Sequence, residues 1–233
     1  MSGIGHTTVP HRARLRRVCR RAVCLWAGLS WLVASGAQAH PHVFVDGGVD
    51  LRMTPSRQIK ALEVTWLYDG FETLYMLASH EIGLNARGGL DEADRRLLVE
   101  RLSSWPEDFD GSAHLRIDGL KTKLDWPTAL DVHLIDGRLQ LTFTRSLPEP
   151  VDPSGKHIEI AFFESTYFFD FTVTNAPRIL GPSEGCAVDM VPFDAESGDT
   201  DLLNMLAKLG REETSGIRNV GESFADRIFV QCE

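Results

Sequence analysis

Two histidines flank a proline at His40-Pro41-His42, and two acids follow at Asp46 and Asp69. Imidazole nitrogen suits nickel, copper, cobalt and zinc. In an extended segment, residues two apart point the same way, so His40 and His42 would share one side. Asp46 falls on that side and Asp69 ends the next strand, so either acid could supply a third ligand. If His40 is the first residue of the mature chain, its α-amine and ring Nδ1 add a chelate. A square-planar site built on the amine and two backbone amide nitrogens is excluded, because Pro41 has no N–H to lose. The competing reading is that the histidines simply start an edge strand.

The order of events before His40 decides between these. Residues 1–21 carry six arginines and no acid, and Ala22 to Ala34 is an apolar run. That run is shorter than the roughly 20 residues a membrane span needs. Ala37-Gln38-Ala39 then supplies a small-x-small cleavage signal. Together these describe a secretory signal peptide over residues 1–39. Arg20-Arg21 hints at a twin-arginine signal, but the rest of that motif is poor. The expectation is a single exported domain, 40–233, without a membrane span once the signal is removed. The chain's net charge is −9, and the signal holds six Arg and no acid, so the mature part would carry −15. Nucleic-acid binding wants a basic footprint and is excluded on this ground. An acidic surface favours cations, weakly.

Cys19 and Cys24 would leave with the signal, and Cys186 and Cys232 remain. An exported protein is free to form disulfides. No C-x-x-C spacing suggests zinc, so the pair is read as a bridge fastening the C-terminus, with two metal thiolates as the rival.

The elements that must position these residues follow from periodicity. Residues 42–53 and 59–68 read as strands, the first with a bulge at Gly47-Gly48. Residues 70–80 and 91–104 read as helices, the second with a stripe of Leu97, Leu98, Val99 and Leu102. Strands return near 113. "TALDVHLIDGRLQLTFTR" is a hairpin about Asp136-Gly137, expected to pair Leu134 with Leu139, Val132 with Leu141 and Leu130 with Phe143. "HIEIAFFEST", "YFFDFTVTN", a segment near 186–191 and "ADRIFVQC" are further strands, and 199–210 is a helix with an acidic start. The fold class is α+β: a mainly antiparallel β-sheet domain with a helix-loop-helix insertion (about 70–105) and a late C-terminal helix.

Other candidates weigh less. His114, His133 and His157 sit out of phase with the apolar residues of their strands, as solvated sheet-face histidines do, and His80 suits a helix C-terminus. Gly83 to Asp94 has the length of a calcium loop, but Gly83 and Arg87 stand where oxygen ligands belong, which argues against calcium. The aromatic run "FFESTYFFDF" reads as core strand. No nucleophile elbow, phosphate loop or H-E-x-x-H is present, so no catalytic residue is assigned and the protein is not expected to be an enzyme.

The segments "AHPHVFVD", "VTWLYDGF", "IDGRLQLTFTRSL" and "PSGKHIEIAFFESTYFFDF", with the late Cys186 segment, resemble a family of uncharacterised bacterial periplasmic proteins, a domain of unknown function. The resemblance covers nearly all of the mature chain. Its members are described as the periplasmic component of an uncharacterised ABC-type transport system and often neighbour nickel/cobalt-type permeases. In that family the helical insertion often carries an Asp-rich, EF-hand-like loop, from which this sequence departs. The resemblance implies a periplasmic accessory in divalent transition-metal transport, with a membrane permease as partner. The alternatives are a copper enzyme with an N-terminal histidine brace, which needs a third histidine, and a non-catalytic envelope interaction module.

Overall fold

Alternating apolar residues build the first two strands, and their inner faces found the core. In this computed structural model, β1 (Val43–Met53) buries Val43, Val45, Val49 and Leu51, while β2 (Ile59–Tyr68) buries Leu62, Val64, Trp66 and Tyr68. The structure describes residues 41–105, 109, 111–194, 198–210 and 213–233.

Two sheets result. The first runs β5 (Thr128–Ile135), β6 (Arg138–Val151), β2, β1 and β8 (Phe169–Val173), with β9 (Ile179–Leu180) also on β1. The second runs β10 (Cys186–Val191), β11 (Asp226–Cys232), β7 (Ile158–Phe162), β3 (Ala113–Ile117) and β4 (Leu120–Lys121). Leu51, Leu62 and Leu141 of the first sheet share one apolar core with Leu115, Ile160 and Ile228 of the second. The Phe162 and Phe171 rings meet between them at 4.8 Å. Each fully buried Leu or Ile there contributes roughly 1.5–3 kcal/mol of transfer free energy.

The α+β class holds, with three departures in detail. The β1–β2 register runs unbroken through Gly47↔Trp66 and Gly48↔Thr65, so no bulge lies at Gly47-Gly48; the register shifts at Arg52/Met53 instead. The glycines answer a close approach: a Cβ on Gly47 would run into the Thr65 carbonyl oxygen. The hairpin pairs Leu134 with Leu139 and Val132 with Leu141, but its register shifts between Thr128 and Asp131. Ala129 adopts a positive φ of 53° there, so Leu130 does not pair with Phe143. Finally, β1 pairs in parallel with β8 and β9, which alternation along one strand does not reveal.

The insertion holds α1 (Gly70–Ser79) and α2 (Glu92–Leu102). Leu98 of α2 is fully buried, and Arg95 reaches Asp131 of β5. The loop between the helices is closed by Asn85, whose Oδ1 accepts from the N–H of Arg87 (3.0 Å) and Gly89 (3.1 Å). A late helix, α3 (Thr200–Leu206), is capped by Asp199. It packs Leu206 with Tyr167, Val220 and Phe224 in a second apolar cluster. Val220 and Phe224 come from a 3-10 turn, Val220–Phe224.

Cys186 and Cys232 face each other across β10–β11 and form a disulfide closing a separation of 46 residues. Replacing both with serine is expected to lower stability by about 4 kcal/mol in the chain-entropy account. A denaturation midpoint unchanged in the double variant would show that the bridge constrains nothing.

Candidate functional site

The corner where β1 begins collects the candidate ligands. His40 lies outside the described residues. His42 enters the sheet on a fixed anchor: its N–H and that of Val43 both donate to the Phe168 carbonyl, at 2.9 and 3.2 Å. Its ring lies 5.0 Å from the Phe168 ring.

Asp46 and Asp69 are brought to the same corner, each with structural work. Asp46 pairs with Arg138 at 2.7 Å, and the same guanidinium donates to the carbonyls of Tyr68 (2.7 Å) and Leu67 (3.0 Å). Asp69 is the N-cap of α1, accepting from the Glu72 N–H at 2.8 Å, and its own N–H donates to the Phe44 carbonyl at 3.1 Å. An N-cap acid satisfies amides that the helix leaves open. Among the described residues no group of three or more His, Cys, Asp or Glu is placed to hold a metal ion. Of the two candidate histidine ligands, only His42 is among the described residues. Of the two acids, Asp46 would have to leave a guanidinium to join.

The remaining histidines of the domain lie on other elements. His80 is the C-cap residue of α1, bonded through its backbone N–H. His114 stacks on Phe163 at 3.8 Å and bonds its carbonyl. His133 meets Asp131 at 2.9 Å, and His157 lies against Phe229.

Sequence reading missed the outer surface of α1. Thr73 and Leu77 face the core, and the Thr73 hydroxyl accepts from the Leu139 N–H. Phe71, Leu74 and Tyr75 point the other way and are 76%, 65% and 55% exposed. Positions three and four apart share a helix face, so these side chains form one apolar stripe. Phe44, half exposed, sits beside the helix start, since its carbonyl holds the Asp69 amide. The signal was legible: "GFETLYMLAS" is apolar on both faces, which an ordinary surface helix is not.

Next to this corner, Asp170 of β8 pairs with Phe44 in the parallel ladder. Burial, and secondarily the charge of Asp226, pushes its carboxyl above the usual carboxylate range. Asp226 itself is buried and structural, accepting from the N–H of Val173 and of Phe193, both at 2.7 Å. Burial likewise pushes the Tyr68 hydroxyl up, with Glu72 adding to it.

The chain belongs to a family described as proteins of unknown function (DUF1007), whose model matches residues 25–232. Among curated proteins, none matches it. No described helix is long and apolar enough to cross a membrane.

A folded-state pKa raised above the unfolded value means that ionised Asp170 opposes folding. The loss sets in as pH rises from 3.8, the ordinary value, through the raised one. Asp170→Asn is therefore expected to melt higher than the parent at neutral pH. The difference should close as pH falls below the ordinary value, where the parent is protonated in both states. Equal melting curves at neutral pH would contradict this.

Proposed function

We propose that this protein is a non-catalytic periplasmic accessory of a transport system. It takes a divalent transition metal at its His40-Pro41-His42 opening and docks on a membrane permease through the outer face of α1. The observation that carries the reading is the exposed stripe of Phe71, Leu74 and Tyr75 beside the strand entry that fixes His42. Exposed apolar faces of this kind mark interaction sites. The Phe44 carbonyl and the Asp69 amide tie the metal end of β1 to the start of that helix, so a metal held there lies beside the docking face.

Charge narrows the partner. From Asp69 to Ala86 the chain holds Asp69, Glu72 and Glu81 but no Lys or Arg. Anionic lipid headgroups attract basic segments, so this rim does not favour a bare membrane surface. It fits an apolar cleft edged by basic side chains, on a protein. The copper-enzyme alternative needs a third histidine at the same corner, and His114, His133 and His157 lie instead against Phe163, Asp131 and Phe229.

Calorimetry on the mature protein should show one site for nickel, zinc or copper. His42→Ala, or one extra residue before His40, should weaken that site roughly tenfold or more, about 1.4 kcal/mol per decade. Leu74→Glu should leave metal affinity in solution unchanged while abolishing metal-dependent transport in cells. Unchanged affinity in the extended protein would remove the amine from the ligand set. Full transport in Leu74→Glu would remove the docking face.

A further inference from the structure

β10 ends the second sheet, with β11 on one side of it. The phase of that ladder fixes which main-chain groups β10 turns outward. The Glu233 N–H donates to the Gly185 carbonyl at 2.9 Å, so residues 185 and 233 form a bonded pair. Bonded and non-bonded pairs alternate in an antiparallel ladder. Ala187, Asp189 and Val191 therefore bond to β11, opposite Gln231, Phe229 and Arg227. Cys186, Val188 and Met190 turn their N–H and C=O the other way. Cys232 agrees with this phase: it lies opposite Cys186, yet its carbonyl accepts from the Gly155 N–H at 3.1 Å. The Cys186 N–H donates to the Ser183 carbonyl at 3.0 Å. The N–H and C=O of Val188 and Met190 have no partner among the described residues.

Short strands, bulges and charges usually guard sheet edges against strand addition. The other borders here carry such guards. β5 breaks register between Thr128 and Asp131, with Ala129 at positive φ. β4 and β9 have two residues each. On β8, the Asp226 carboxylate takes the Val173 N–H at 2.7 Å. β10 instead keeps its register from Cys186 to Val191 and holds neither Lys nor Pro. Ala187, Asp189, Met190 and Val191 are exposed. The disulfide ties Cys186 to Cys232, so the edge is already ordered and loses little freedom when a strand is added.

An open edge takes an extended strand, main chain to main chain. Antiparallel pairing of two identical strands has two-fold symmetry, the commonest symmetry of soluble oligomers. Two such registers overlap most of β10: one pairs residues 186–190 with their copies, the other 187–191. The second sets Asp189 against Asp189, and like charges directly opposite are destabilising. It also sets Cys186 against Pro192, which has no N–H to give. The first avoids both.

We infer that β10 is a self-association edge, to which a second copy of this chain adds its own β10, antiparallel and centred on Val188. Val188 then meets its copy in a bonded pair, Met190 meets the partner's Cys186, and Ala187 lies beside the partner's Asp189. The two second sheets become one. The inference uses neither the histidines nor α1. A strand edge alone buries less than the roughly 1,200–2,000 Å² of a stable interface, so the association is weak and depends on concentration. The chain's net charge is −9, so copies repel, and salt screens that repulsion.

Sedimentation equilibrium of the mature protein should show monomer and dimer, with the dimer tightening as salt is added. Val188→Pro removes an N–H that bonds nothing within the protomer, and proline is tolerated where a strand's N–H faces outward. It should keep the parent's circular dichroism and abolish the dimer. Ala187→Lys places an ammonium beside the partner's Asp189 twice per dimer and should tighten it about threefold or more; this variant keeps the test decisive if Val188→Pro folds poorly. Leu74→Glu, on α1, should leave the dimer unchanged. A protein that stays monomeric up to its solubility limit would overturn the inference, as expected if the edge serves another protein's strand. So would a dimer that persists in folded Val188→Pro, or one that Asp189→Asn tightens and Ala187→Lys does not.

Discussion

The pairing of β1 on both of its edges is the constraint on which the remaining architecture depends. On one side it forms an antiparallel ladder with β2, and on the other it accepts β8 and then β9 in parallel. Its Gly47 lies so close to the Thr65 carbonyl that no side chain fits. The Gly47 carbonyl accepts from the N–H of Thr174 (2.9 Å) and Asn175 (3.0 Å), turning the chain beyond β8 back over β1. A side chain at this position would separate β1 from β2 and shift the aromatic residues that β2 and β8 contribute to the core.

Two candidate surfaces follow from that arrangement. The β1–β2 corner holds Asp46 and Asp69 with the start of α1, and His42 at the strand entry with its ring against Phe168. The inner side, between the sheets, gathers Trp66 and the β8 aromatics around a cavity. Phe168 belongs to both: its carbonyl anchors His42 and Val43, and its ring lines the cavity.

The parts legible in the sequence were those written in local chemistry. Asp136-Gly137 specified the β5–β6 turn, both glycine-turn residues adopt positive φ, and alternation then set the register up to Val132. The helical insertion and the acidic start of the late helix at Asp199 were likewise readable from short-range pattern, and the Cys186–Cys232 bridge from the two cysteines left after the signal; Asp69, read as a ligand, is the N-cap of α1. What escaped was non-local. The parallel partnership of β1 with β8 joins segments more than 120 residues apart, and no strand's own alternation encodes its neighbour. Gly47-Gly48 carried a true signal, since glycine marks either a bulge or a close backbone approach, and the structure selects the second. Asp46 was recognised as a carboxylate near His42. That Arg138 claims it is a consequence of hairpin placement, which sets a cation 92 residues away against it. The run "FFESTYFFDF" divides: Phe162, Phe163 and Phe171 are buried core, whereas Phe168 and Phe169 are only partly buried and, with Phe171, line a cavity.

Native mass spectrometry of the protein taken directly from its own compartment tests the central claim, that this is a binding protein whose metal site opens at His40. The account predicts a polypeptide mass beginning at His40, reduced by the two hydrogens of the disulfide, carrying one divalent transition metal. A chain that begins elsewhere, or that stays metal-free after exposure to nickel, cobalt, zinc and copper, would contradict it.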